Sequence, residues 1–458
     1  LEEFFENELI VKFENMIENN EETYFDTDEL EEIIIHYLEI GDVELAETAV
    51  NFATKLHPDS IEVKTKKLEV LLELEHYSEA KIIIEELKDT SGDSTDFLVC
   101  CAKYYSNLGH TKKAIEYCEM ALQLGDEENF LHNFIADELV NIGDPFNALK
   151  HYQLALKADA QDDYALENAM FCFNRLNKSD EAIDFLNHYL DQFPYSETAW
   201  MEYGQYYFNK KNYEEALKGF DFLLAINTTS VGVYANIAAC YEAMKLWKNA
   251  ISTYEESMEY EFTKAYTFYK IGLCYKEMKQ LTAALNAFQK SLREDPQFYL
   301  AMMEQSELYE EMGSMKEALH FAREATFLNT NNLDYQKKLA YLYIEAGRYE
   351  ESLECLVRLI DAEPDRFYNW YAYTEVLMLI GEYEEAVTAL KLAIEKNERA
   401  ELYYQLSNSY FHLKMNKEAN NALAQAIFLD ASLLEDMKMK YPTLKSEVKK
   451  VKSGKKGL

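Results

Sequence analysis

Apolar residues return along this chain in pairs of helical stripes separated by short polar breaks. Between residues 61 and 94, Leu68, Leu71 and Leu72, then Ala80, Ile83, Ile84 and Leu87, recur at spacings of three and four, which predicts two amphipathic helices. The pattern repeats every 34 residues around a small residue: Ala46, Ala80, Ala114, Ala148, Ala182, Ala216, Ala250, Ala284, Ala318, Ser352 and Ala386, with Ala419 one residue early. A fixed period of this length marks a stacked-repeat architecture. Counting the small residue as position 20, twelve units fill residues 27–433, starting at 27, 61, 95, 129, 163, 197, 231, 265, 299, 333, 367 and 400.

Breakers fall in the same phase. Gly41, Gly109, Gly143, Gly313, Gly347 and Gly381 occupy position 15, where a left-handed residue ends a first helix. Pro58, Pro194, Pro296 and Pro364 occupy position 32, where Pro stops a second helix, and Asp144-Pro145 reads as an N-cap followed by a first helical turn. Position 8 is small at Ala102, Ala136, Gly204, Ala238, Gly272, Ser306 and Ala340, as close helix approach requires; Ile34, Leu68 and Met170 relax it and predict looser packing there. Position 11 is aromatic in nine of the twelve units, from Tyr37 to Tyr410, and is read as packing between helices.

These motifs, in phase over about nine tenths of the chain, resemble the tetratricopeptide repeat. The resemblance implies an all-α, right-handed superhelical solenoid of antiparallel helix pairs, whose first helices line a concave groove that holds other proteins or peptides. No Pro-, Gly- or Ser-rich linker interrupts the phase, so one continuous solenoid is expected. Residues 1–26, with Phe4, Phe5, Leu9, Phe13, Met16 and Ile17 at helical spacing but Lys12 at the small-residue position, read as a degenerate capping helix. Residues 434–458 read as a helix remnant followed by a Lys-rich tail that frays into solvent or tethers an acidic surface.

Charge narrows the partners. The formal net charge is −38, and since residues 434–458 carry +5, the remainder carries −43. So acidic a body repels phosphate backbones, and nucleic acid is not an expected ligand. No stretch is long and apolar enough to span a membrane. The seven cysteines fall at core-type positions (Cys172, Cys240 and Cys274 at position 10), which suits reduced thiols and a cytoplasmic setting.

Catalytic chemistry has little to stand on. Neither HExxH, nor a glycine-rich phosphate loop, nor GxSxG, nor paired CxxC is present; the histidines, among them His132 and His151, are scattered across phases. A non-enzymatic protein with no cofactor and no metal is expected.

The resemblance places positions 2, 5, 6, 9, 12 and 13 on the groove, and these 72 sites hold 21 acids and 7 bases. In the middle units they present Phe130, Asn133, Phe134, Asp137, Tyr164, Asn168, Phe171, Phe208, Asn236, Tyr266 and Tyr269. Amides can pair with both backbone groups of an extended peptide while rings take its apolar side chains; equally, the rings can cover neighbouring repeats. Glu304, Glu307, Glu310 and Glu311 form an acidic cluster suited to a Lys-rich peptide. Asn107, Asn141 and Asn209 share position 13, where Asn also serves local capping. The set of bases and amides with which some relatives clamp an acidic C-terminus is missing. The reading is a scaffold for a protein or extended peptide of basic or neutral character. The alternative is a self-assembling adaptor that oligomerises through its groove or ends, and the oligomeric state is open.

Overall fold

A computed structural model describes residues 8–19, 23–88, 90–91, 94–125 and 128–444. Among them the chain forms 26 α-helices and no strand. They gather into two compact units, Leu1–Thr228 and Thr229–Leu458, and the 34-residue phase of the sequence runs through the division unaltered. Phe4, Phe5 and the tail lysines Lys449, Lys450, Lys452, Lys455 and Lys456 lie outside the described residues.

In the first unit α1 (Glu8–Asn19) precedes six helix pairs: α2 (Thr27–Glu39) with α3 (Val43–Leu56), α4 (Ile61–Glu73) with α5 (Tyr77–Leu87), α6 (Thr95–Asn107) with α7 (Thr111–Leu122), α8 (Glu128–Asn141) with α9 (Pro145–Ala158), α10 (Asp163–Arg175) with α11 (Ser179–Gln192), and α12 (Glu197–Asn209) with α13 (Tyr213–Ile226). The second unit pairs α14 (Val231–Ala243) with α15 (Trp247–Ser257), α16 (Ala265–Glu277) with α17 (Leu281–Glu294), α18 (Tyr299–Glu311) with α19 (Met315–Leu328), α20 (Leu333–Glu345) with α21 (Tyr349–Ala362), α22 (Phe367–Ile380) with α23 (Tyr383–Lys396), and α24 (Ala400–His412) with α25 (Asn416–Leu429), and ends in α26 (Leu434–Lys440).

Each pair is a hairpin, and position 15 makes the turn. All twelve residues there have positive φ: the six glycines, and also Glu75, Asn177, Lys211, Lys245, Lys279 and Lys414 at φ 56–62°. The next residue donates its N–H back to the first helix, as from Asp42 to Tyr37 O (2.9 Å) and from His76 to Leu71 O (2.8 Å). The turn is therefore set by helix termination and pairing, which overcome the modest cost of a left-handed non-glycine residue. Side-chain caps start many of the helices: Asp26 forms a capping box with Glu29, and Ser60, Ser94, Asp162, Ser196 and Asn332 accept N–H groups of their first turns.

Positions 8 and 20 are where the two helices meet. All twelve position-20 residues have no exposed surface. A Cβ added at Gly204 would stand 2.4 Å from the Phe220 ring, and one at Gly272 2.4 Å from Phe288. Where serine occupies either position, its hydroxyl bridges the pair: Ser306 to Ala318 O at 2.8 Å, Ser407 to Ala419 O at 2.9 Å, and Ser352 to Ala340 O at 3.1 Å. The pairs with Ile34, Leu68 and Met170 at position 8 touch less extensively than the pairs with small residues in phase on either side. Position-11 rings pack within their hairpins, Tyr105 stacking on Tyr117 and Tyr309 on Phe321. Phe13 of α1 is fully buried among Phe25, Tyr37 and Phe52. All seven cysteines are free thiols and buried, and burial pushes Cys101 and Cys118 up to about 12, so neither is a reactive thiolate.

Candidate peptide-binding surface

In the first unit the groove positions of α8 and α10 carry three solvent-facing rings. Phe130, Phe171 and Tyr164 are 41%, 44% and 51% exposed. Phe134 and Phe208 are half-buried, Phe134 tilted against Phe130 at 6.1 Å and Phe208 edge-on to Tyr213 at 5.4 Å. The Arg175 guanidinium lies 5.6 Å from the Phe171 ring centre.

The polar groups among these rings are largely committed to the fold. Asp137 accepts Tyr152 Oη at 2.6 Å and Tyr164 Oη at 2.9 Å, and burial holds its carboxyl above the ordinary value despite these donors. Asn133 donates to Asp162 Oδ2 at 2.5 Å, and Asn129 joins it at 2.7 Å. Burial opposes the Asp162 charge, yet the Ala165 N–H and these amides hold its carboxyl below its ordinary value. Asn133 thus fastens one pair to the N-cap of the next, which commits one of its amide hydrogens to the fold. Asn168, half-buried, donates to Tyr164 O at 2.9 Å within its own helix.

Spacing did not single out Glu202, at position 6 of α12. Burial, and after it the nearby Glu167 charge, push its carboxyl up to about 7. A readable signal exists. Position 5 of one pair lies beside position 6 of the next, as Glu31 does beside Lys66 at 3.5 Å. Glu167 and Glu202 hold the same two positions with like charges.

In the second unit Tyr266 is 55% exposed, whereas Tyr269 is half-buried against Phe298 (5.5 Å, edge-on) and Phe288 (6.0 Å). Asn236 is half-buried on α14. The acidic cluster is mostly paired within the chain: Lys276 lies 2.6 Å from both Glu304 and Glu307, and Lys338 pairs with Glu310, while Glu311 is exposed. Burial opposes the Lys276 charge, and the two carboxylates overcome it, raising the ammonium above its ordinary value. Lys270 pairs with Glu242 at 2.8 Å. Three of these bridges join residues 28 apart, from position 12 of one pair to position 6 of the next.

All six groove lysines are engaged in this way, since Lys66 and Lys103 take Glu69, and Lys337 takes Asp334 and Glu363. Among the described residues no group of three or more His, Cys, Asp or Glu side chains is placed to hold a metal ion, and no helix is long and apolar enough to cross a membrane.

The family model for the tetratricopeptide repeat matches residues 242–408, inside the run of paired helices just described. Residues 242–408 are tetratricopeptide repeats. As a group, these repeats mediate protein–protein interaction. The chain is similar to the TPR repeat-containing protein YpiA of Bacillus subtilis (strain 168), 22% identical over 408 residues and 86% of each chain. It is also similar to the Hsp70-Hsp90 organizing protein of Triticum aestivum, 24% identical over 200 residues, which are 43% of this chain and 33% of that one. Among solved structures it is similar to the C-terminal part of a TPR repeat-containing protein from Cytophaga hutchinsonii, with 16% identity, a TM-score of 0.43, and coverage of 50% of this chain and 95% of that one.

Proposed function

We propose that this repeat protein is a non-enzymatic scaffold that holds an extended, basic or neutral protein segment on the first-helix faces of its pairs. The observation that carries this reading is the fate of the groove lysines. Every one is consumed by a carboxylate of its own chain, and the charge left over is negative: Asp28, Glu39, Glu73, Glu167 and Glu277 stand at groove positions without a basic partner in any ion pair described above. Such a surface attracts a cationic segment, and the exposed rings Phe130, Tyr164 and Phe171 offer it apolar and cation–π contacts.

An array of twelve-residue peptides graded in net charge tests the reading. Binding is expected to favour basic peptides, to weaken as salt is raised, and to fall about tenfold when Tyr164 and Phe171 are replaced by Ala, the loss of one or two exposed aromatic contacts. A preference for acidic peptides, or indifference to salt and to both substitutions, overturns it. Light scattering on the same preparation separates the self-assembling alternative, in which mass rises with concentration in the absence of any peptide.

A further inference from the structure

The last described residues do not continue the stack as a regular helix. α26 ends at Lys440 after seven residues, and Tyr441 (φ −121°, ψ 89°) leads into Pro442. This short segment reaches back across a whole helix pair. Lys440 Nζ donates to Glu375 Oε1 at 2.6 Å and to Tyr371 Oη at 3.0 Å, 69 residues earlier, and lies 4.8 Å from the Tyr371 ring centre. Tyr371 and Glu375 are groove positions 5 and 9 of α22. Thr443 Oγ1 donates to Asn408 Oδ1, at groove position 9 of α24. Tyr441 and Leu444 are buried in the same apolar cluster as Met378 and Tyr404. Beside them a cavity of about 400 Å³ remains, lined in part by Met378, Leu379, Tyr383 and His412.

We propose that the first-helix faces of α22 and α24 are a receptor for a protein segment in which an ammonium is followed directly by an aromatic residue, and that Lys440–Leu444 of this chain hold it in cis. The recognising chemistry is a carboxylate, a phenol oxygen and a ring face around one ammonium, with an Asn acceptor for a hydroxyl three residues on. A regular capping helix would present side chains at helical spacing to the preceding pair alone. Here the last residue of the helix, Lys440, bypasses that pair to reach α22, and Thr443, beyond the helix end, makes the second polar contact. A partner segment of like chemistry competes with the tether, whose effective concentration is in the millimolar range for a short connection. The site uses none of the rings on α8, α10 or α16, so its failure leaves the preceding reading untouched, and the reverse.

The test titrates a fluorescent peptide of residues 437–444 into the full-length chain and three full-length variants, read by anisotropy. Lys440→Glu places like charge against Glu375 and releases the tethered segment, so the peptide binds this variant at least tenfold more tightly than the unaltered chain. Glu375→Lys removes the ammonium's partner, so the peptide gains nothing over the unaltered chain. The swap Lys440→Glu with Glu375→Lys restores the cis pair and loses the gain. Equal binding to all four chains, or a gain that persists in the swap, overturns the proposal. Should Lys440→Glu lose helicity, Lys440→Gln replaces it, and absence of the gain there is equally decisive.

Discussion

Glu202 shows how one side chain ties groove chemistry to stability. Its carboxyl is pushed up to about 7 by burial first and by Glu167 second, whereas in the unfolded chain it titrates as an ordinary carboxylate. The folded state therefore holds its proton longer, and stability is lost as pH rises from about 4.5 to about 7 and is level above that. Glu202→Gln is expected to stabilise the protein by about 1–2 kcal/mol near pH 8, allowing for solvent screening of a partly exposed group, and by much less near pH 5. Paired thermal melts at the two pH values decide it, and equal gains at both would mean that the group is not desolvated. His132 and His151, whose Nδ1 atoms stand 3.2 Å apart, act with the opposite sign. Burial lowers both, so they withdraw stability as pH falls below about 6.5, and only a single-site variant separates the two effects.

In most pairs the hairpin is built on a contact with room only for small residues. Ala216 is fully buried in the hairpin where a Cβ at Gly204 would already strike Phe220. Ala216→Leu forces α12 and α13 apart and is expected to cost about 1–3 kcal/mol through overpacking. A chemical denaturation curve that does not move would place the contact elsewhere. The substitution Ala80→Leu provides the comparison, because α4 and α5, with Leu68 at position 8, touch less extensively than α12 and α13, so the extra bulk should cost less. The hairpin also explains the six non-glycine residues at position 15. Four are lysines, whose positive charge sits at the negative end of the first helix and offsets part of the left-handed strain.

Across the whole chain, unbalanced charge is the main force opposing the fold that a change of solvent can reach. Eighty-three acids face 45 bases, and a bridge at a protein surface contributes only about 0–1 kcal/mol, so the groove ion pairs do not cancel the repulsion. Screening that repulsion should stabilise the fold. Raising NaCl from about 10 mM to about 150 mM is expected to raise the melting temperature. A fall would show that the bridges at Lys276 and Lys338, rather than net charge, govern the balance.

The 34-residue phase was enough to read the helices, the hairpin turns, the burial of position 20 and the close approach at position 8. Each follows from the periodicity of a helix or from the volume between two helices joined by a short turn. Half of the position-15 turns carry no glycine to mark them, because Glu75, Asn177 and the four lysines adopt that backbone only when the helices around them insist. The candidate site was legible less completely. Phe130, Tyr164, Phe171 and Tyr266 are exposed on the predicted positions, but the tertiary structure alone committed Asn133 to Asp162 and tied Glu304 and Glu307 to Lys276. It alone brought Lys440 onto Glu375. These contacts join residues 28 to 65 apart, where the outcome depends on which long side chain reaches which neighbour. The phase says only that such neighbours exist; packing and rotamer decide which of them pair, and so which groove groups remain for a partner.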